Sequence, residues 1–196
     1  MKKEVEKYIQ VYLRQFSHLG PEVAEFIQPY LSIRQIPKGE YYLSSGEIQH
    51  DMGFVYEGLC RRFFINDKGN EITTGFIQEN EYVTDYPAFI RQQPSKYHIQ
   101  CLEPSIVVNL PYEVIQESYR KFRQSEMQGR LIAEKVLTIL SDRVESFLFL
   151  TAEERYLNFL ANHEDLMNRV SLTHLASFLG IERQSLSRIR KRIASK

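Results

Sequence analysis

Cysteine is scarce in this chain: among 196 residues only Cys60 and Cys101 carry a thiol. Two thiols cannot supply the four ligands of a cysteine-held iron–sulfur cluster. Their apolar settings, GLCRRFF and IQCLE, read as buried free thiols of a reducing compartment. Long apolar runs are missing too, and none approaches the ~20 residues that a membrane-spanning helix needs. The opening MKKEVEKYIQVYLRQF carries acids within an amphipathic pattern and lacks the uninterrupted apolar core of a secretory leader. Both observations predict a cytoplasmic protein without a membrane partner. Phosphate-cradling glycine loops and the GxSxG elbow do not occur. The five histidines, His18, His50, His98, His163 and His174, are scattered without HxxxH or Cys/His spacing. No metal, cofactor or catalytic residue is therefore expected. An enzyme on a small metal-binding barrel would need the histidine–carboxylate cluster that is absent.

Net charge is also lacking, with 25 basic and 25 acidic residues. That balance hides an asymmetry. From residue 169 onward there are seven basic residues (Arg169, Arg183, Arg188, Arg190, Lys191, Arg192, Lys196) against one acid, Glu182. A basic end on a neutral chain points to a polyanion bound in one place.

Three textures succeed one another. Val5, Ile9, Tyr12, Leu13 and Phe16 share one face of a helix over residues 4–16, and Pro21 opens a second helix near 22–31. From Ser32 to about Leu110, short β-rich runs alternate with turn residues, Glu57-Gly58 and Asn66 to Asn70 among them. That spacing predicts an antiparallel barrel or sandwich. Residues 80–95 interrupt it and leave room for a short helix. From Tyr112 the chain is helical. Ala133, Leu137, Leu140, Val144 and Phe147 form a narrow seam on a helix over about 125–150, with Ile132, Val136 and Ile139 as a second apolar row. One row can pack on the chain's own barrel, which leaves the other for a second copy of the chain; the same residues would also make one wide face in a monomer's core. Thr151-Ala-Glu-Glu154 is a capping box that starts a further helix. The boundary between the two halves is placed at residue 150, which separates residues 1–150, with the long helix at their end, from residues 151–196.

The sharpest pattern is LTHLASFLGIERQSLSRIRK, residues 172–191. Ser171 is a suitable N-cap. Ala176 falls where two crossing helices would touch, and Gly180 where the chain must turn left-handed between them. These are the packing requirements of a helix-turn-helix. In the second helix Leu186, Ile189 and Ile193 face inward. Arg183, Gln184, Ser187 and Arg188 lie on the other side, with Arg190, Lys191 and Arg192 following. Arginine can bond the guanine edge bidentately, glutamine can read adenine, and flanking cations suit phosphates. An amphipathic terminal helix with a merely solvated basic face would explain the charges, but not Ala176 and Gly180 at these offsets.

Here the sequence resembles the CRP/FNR superfamily of bacterial transcription regulators, over nearly the whole chain. The resemblance implies an α+β architecture. A cyclic-nucleotide-binding-like β-barrel of jelly-roll type leads into a long dimerisation helix and an all-α helix-turn-helix domain. It implies a sequence-specific DNA-binding regulator, a homodimer on a palindromic double-stranded operator, with RNA polymerase as a further partner. The family's recognition helix commonly reads Arg-Glu-Thr-Val-x-Arg; Arg183-Gln184-Ser185-Leu186-Ser187-Arg188 keeps both arginines and replaces the Glu by Gln184. The barrel's phosphate cassette departs further. Where cyclic-nucleotide binders carry Gly-Glu and then an Arg, this chain has Thr84-Asp85-Tyr86-Pro87-Ala88-Phe89 and Pro94-Ser95-Lys96-Tyr97. Asp85, Tyr86, Phe89, Lys96 and Tyr97 are the candidate effector-pocket residues. The effector is an unknown small molecule and not cyclic AMP. The alternative is a small-molecule-binding barrel protein of the same fold without a DNA-binding role.

Overall fold

The computed structural model describes residues 2–14 and 20–195; Phe16, His18 and Lys196 lie outside them. Helix α1 (Lys2–Arg14) precedes α2 (Pro21–Ile27). Pro21 stands in the first turn of α2, where its missing N–H costs nothing. Pro29 then ends the α-helix early, so a 3-10 turn (Gln28–Tyr30) fills the rest of the expected span.

Eight strands follow: β1 (Ser32–Ile36), β2 (Tyr41–Leu43), β3 (Asp51–Glu57), β4 (Cys60–Ile65), β5 (Glu71–Ile77), β6 (Tyr82–Val83), β7 (His98–Cys101) and β8 (Ser105–Pro111). Turn chemistry sets their limits. Gly58 at φ +108° reverses the chain between β3 and β4. Between β4 and β5, the Asn66 side-chain oxygen accepts from the N–H groups of Lys68 and Asn70, both at 3.0 Å. Helix α3 (Tyr86–Arg91) occupies the interruption expected between residues 80 and 95.

The strands make two four-stranded sheets, ordered β1-β8-β3-β6 and β2-β7-β4-β5. Of the barrel or sandwich that the spacing allowed they make the two-sheet form, and they do not close into the β-barrel that the resemblance implied. The edge strands explain why: β6 has two residues and β2 has three, with a shifted register against β7, so neither offers a ladder long enough to join the sheets. In the first sheet β8 pairs antiparallel with β1, from Ser32 opposite Asn109 to Ile36 opposite Ser105, and with β3 on its other side. Being central, β3 and β8 bury both faces. Met52, Phe54, Val108 and Leu110 turn to one core, while Val55 and Val107 turn to the other. The first core is shared with α1 and α2 through Tyr12, Val23 and Ile27, and with α4 through Val114 and Ile115. The second gathers Ile36, Leu43, Cys60, Ile99 and Cys101 from both sheets.

The helical part runs α4 (Tyr112–Lys121), α5 (Arg123–Phe149), α6 (Ala152–Asn162), α7 (Leu172–Leu179) and α8 (Arg183–Ala194), with a 3-10 turn at Glu164–Asn168. The chain divides into two compact units. One is Met1–Arg62 with Phe76–Val136; the other is Phe63–Gly75 with Leu137–Lys196. The tip of the β4–β5 hairpin thus groups with the C-terminal helices. No described helix is long and apolar enough to cross a membrane.

Candidate nucleic-acid interface

Helix α6 begins at the complete capping box: the Glu154 N–H donates to Thr151 Oγ1 at 3.3 Å, and the Thr151 N–H donates to the Glu154 carboxylate at 2.8 Å. Those bonds hold the Glu154 carboxyl below its ordinary range. Ser171 caps α7 by accepting from the His174 N–H at 3.1 Å. Gly180 ends α7 in the left-handed conformation, φ +69° and ψ 33°. A Cβ there would also lie 2.5 Å from the Phe147 ring, so glycine is required twice over. Ala176 is 2% exposed, which fits a small residue under a helix crossing.

The carbonyls at the end of α7 have no partners in their own helix. Two arginines supply them. Arg155 of α6 donates to Leu179 O at 3.0 Å and to Leu150 O at 2.7 Å; Arg143 of α5 donates to Phe178 O. The same guanidiniums stack on aromatic faces, Arg143 over Phe178 at 3.9 Å and Arg155 over Phe147 at 4.8 Å. The other end of the support is Ser177. Its hydroxyl accepts from the Thr73 N–H at 2.9 Å and donates to Glu71 O at 3.0 Å, tying α7 to strand β5.

Helix α8 rests on this frame through Leu186 and Ile189, 0% and 8% exposed. At about 100° per residue, Arg183, Gln184, Ser187, Arg188 and Lys191 share the opposite face, and all five are exposed. The Ser187 hydroxyl donates to Arg183 O at 3.1 Å, and Arg188 donates to Ser185 Oγ at 3.1 Å, which steadies its side chain. Arg190 is exposed on the flank, beside Tyr156, Leu172 and Ile193. Arg192 lies on the other flank and pairs with Glu153 of α6, so its charge is partly answered within the chain. Helix α8 itself carries no acid.

The cassette residues fall in the other unit. Asp85 is buried, 3% exposed, and accepts from the Ser95 hydroxyl at 2.8 Å. Its own N–H donates to Gln49 Oε1, 3.1 Å away, which also accepts from Thr84 Oγ1. Tyr97 lies 5.4 Å beneath the Arg62 guanidinium. Burial pushes the Arg62 pKa down, opposed by Tyr97 and Asp85. Phe89 turns into the core against Tyr112, with ring centroids 5.3 Å apart. Tyr86 is half-buried and Lys96 is exposed. The structure thus brings Asp85 and Tyr97 together, adds Arg62, and leaves Phe89 and Lys96 to other surroundings.

Along α5, Ser125 and Gly129 are buried, and Gly129 packs under the Tyr119 ring. Ile132, Ala133 and Val136 are half-buried. Leu137, Leu140, Val144 and Phe147 are exposed, as is Ile139.

Sequence reasoning did not reach Arg62, Arg143, Arg155 or Ser177. An arginine on a helix reads as solvated, and each of these four takes at least one partner from a segment far away in sequence.

Residues 33–122 match the cyclic nucleotide-binding domain family. Electron transport regulator A of Shewanella oneidensis is 28% identical in an alignment of 173 positions that covers 80% of this chain and 66% of that protein. The transcriptional activator protein Anr of Pseudomonas protegens is 25% identical over 80% of this chain and 68% of its own length. The chain therefore spans about two thirds of these relatives. Among solved structures, FixK2 from Bradyrhizobium japonicum aligns with a TM-score of 0.74 at 13% identity, over 84% of this chain and 85% of its own. The c-di-GMP responsive global regulator CLP of Xanthomonas campestris aligns with a TM-score of 0.68 at 18% identity, over 90% and 92%. At those identities the structural likeness concerns the fold.

Proposed function

We infer that this chain, which belongs to the CRP/FNR family of transcription regulators, binds double-stranded DNA sequence-specifically as a homodimer. The observation that carries the reading is the outer face of α8. Five polar or basic side chains stand exposed together there, on a helix without acids, over a buried apolar inner face. Residues α7, Gly180 and α8 act as a helix-turn-helix, with α8 in the major groove. Arg183 and Arg188 read guanine edges, Gln184 reads an adenine, and Ser187 contributes from the same face. Arg190 and Lys191 meet phosphates, and Arg192 joins them when it leaves Glu153.

The exposed seam of α5 supports the homodimer, since Leu137, Leu140 and Val144 cover one stripe that the chain leaves in water, with the partly covered Phe147 at its end. A symmetric pair would present two α8 helices to half-sites about 34 Å apart, one turn of DNA. The eight strands, in the order of a jelly roll, form the sensory domain upstream of residue 150. Its effector is a small molecule other than cyclic AMP.

Selection of bound sites from random duplex DNA tests the reading. A palindromic consensus is expected. Arg183→Ala should then cost about 1–3 kcal/mol per half-site and relax the preference at one position. Lys191→Ala should weaken all sequences alike and lower the salt slope by about one. Absence of any enriched sequence, or Arg183→Ala binding with unchanged affinity and preference, refutes the assignment.

A further inference from the structure

Within the core shared by the two sheets, Cys60 of β4 and Cys101 of β7 stand with their sulfurs 3.6 Å apart, both free thiols and both 0% exposed. Strands β4 and β7 are neighbours in their sheet, and the Leu102 N–H donates to Leu59 O at 2.7 Å. That bond sets residues 60 and 101 side by side. Neighbours placed so have Cα atoms about 4.5–5.5 Å apart, inside the range that a disulfide spans. We propose that Cys60 and Cys101 form a dithiol site that hydrogen peroxide oxidises to an intramolecular disulfide. The site does not rest on the DNA-binding reading.

Packing alone would place two thiols here, since cysteine is a small hydrophobe. An isolated buried thiol is inert. What distinguishes this pair is that each sulfur is already the other's nearest reaction partner. Closing from 3.6 Å to a bond of about 2.05 Å asks for a shift of about 1.5 Å, divided between two side chains on strands already in register. The two thiols are also unequal. The hydrogen bond shared with Cys60 pulls the Cys101 thiol down, against the effect of burial and with lesser help from Ser105 and the charge of Arg34. The same bond, with burial, pushes Cys60 up. Cys101 is assigned as the attacking thiol because it ends β7 beside partly exposed residues, and Cys60, which follows the buried Gly58 and Leu59, as the resolving one. Cys101 ends β7, next to the partly exposed residues 102–104, so local opening at a strand end admits an oxidant hardly larger than water.

The chemistry balances. The Cys101 thiolate attacks one peroxide oxygen; the S–O bond forms, the O–O bond breaks, and hydroxide leaves, to be protonated to water. This gives a sulfenic acid at Cys101. The Cys60 sulfur then attacks the Cys101 sulfur; the S–S bond forms, the S–O bond breaks, and the departing hydroxide takes the Cys60 proton as a second water. The two sulfurs lose two electrons in all, and peroxide accepts them.

The test treats the full, reduced chain with excess hydrogen peroxide under native conditions, then denatures it, alkylates it with iodoacetamide and measures the intact mass. The untreated chain should gain two adducts, one per cysteine. The treated chain should gain none, weigh two hydrogens less, and regain both adducts after dithiothreitol. Retention of both adducts, oxygen addition in place of hydrogen loss, or a covalent dimer on a non-reducing gel would overturn the site. Near-isosteric variants separate the roles. Cys60→Ser should accumulate a sulfenic acid at Cys101 that a dione reagent traps, whereas Cys101→Ser should leave Cys60 alkylatable. The reverse pattern would overturn the assigned order of attack.

Discussion

Leu137→Glu strikes the proposed dimer where its energy can be worked from exposure. Leu137 is 68% exposed in the chain by itself. Full burial of a leucine side chain is worth about 1.5–3 kcal/mol, so covering that remaining surface contributes about 1–2 kcal/mol per copy. A two-fold axis presents the same residue from both sides, which doubles the figure to about 2–4 kcal/mol per dimer. At about 1.4 kcal/mol per factor of ten, the dissociation constant should rise roughly thirty- to several-hundred-fold. A carboxylate carried into the seam adds a desolvation cost, so this range is the lower side of the effect. Sedimentation velocity across micromolar concentrations should show the wild-type chain as a dimer and the variant shifted toward monomer. Binding to the selected operator should weaken in parallel, because two linked readers then act as separate ones. A wild-type monomer at these concentrations, or a variant that dimerises as well as wild type, refutes the argument.

The sequence made local geometry legible and left long-range partnership out of reach. Gly180 was readable because a tight turn between two apolar-periodic helices needs a residue that tolerates positive φ, and it is found at φ +69°. Thr151 and Ser171 were readable for a similar reason: a cap is decided within four residues. Strand spans were legible wherever turn residues bracketed them, as at Gly58 and Asn66. Whether the sheets close was not, because closure depends on how far edge strands extend, and the Tyr82–Val83 strand is too short to leave a period-2 signal. The supports of α7 were hidden by sequence distance. Ser177 meets residues 71 and 73, more than a hundred positions away, and nothing near Ser177 announces it. Arg62 shows the same limit from the strand side. Alternation gives a strand residue its face, but the company of Tyr97 and Asp85 follows only from the packed sheets.

Ser177→Ala should lower stability by about 1–3 kcal/mol, read as a reduced urea midpoint, because it leaves the buried Thr73 N–H without its acceptor; an unchanged midpoint would mean that the hairpin tip does not hold α7. Cyclic AMP should fail to bind. Its cyclic phosphate carries one full negative charge, and burying it calls for a cation and donors that are available. Two donors around Asp85 are already engaged and a third is missing. The Asp85 N–H goes to Gln49, the Ser95 hydroxyl goes to the Asp85 carboxylate, and Pro87 has no N–H to give. Arg62 stands over the Tyr97 ring and already feels the Asp85 charge. A phosphate entering here would confront the Asp85 carboxylate and would have to draw Arg62 away from it, leaving one buried charge unanswered whichever anion prevails. Titration calorimetry with cyclic AMP is the direct measurement, and saturable binding tighter than about 10 μM, roughly −7 kcal/mol, would show that the Arg62–Asp85 arrangement opens to admit a phosphate.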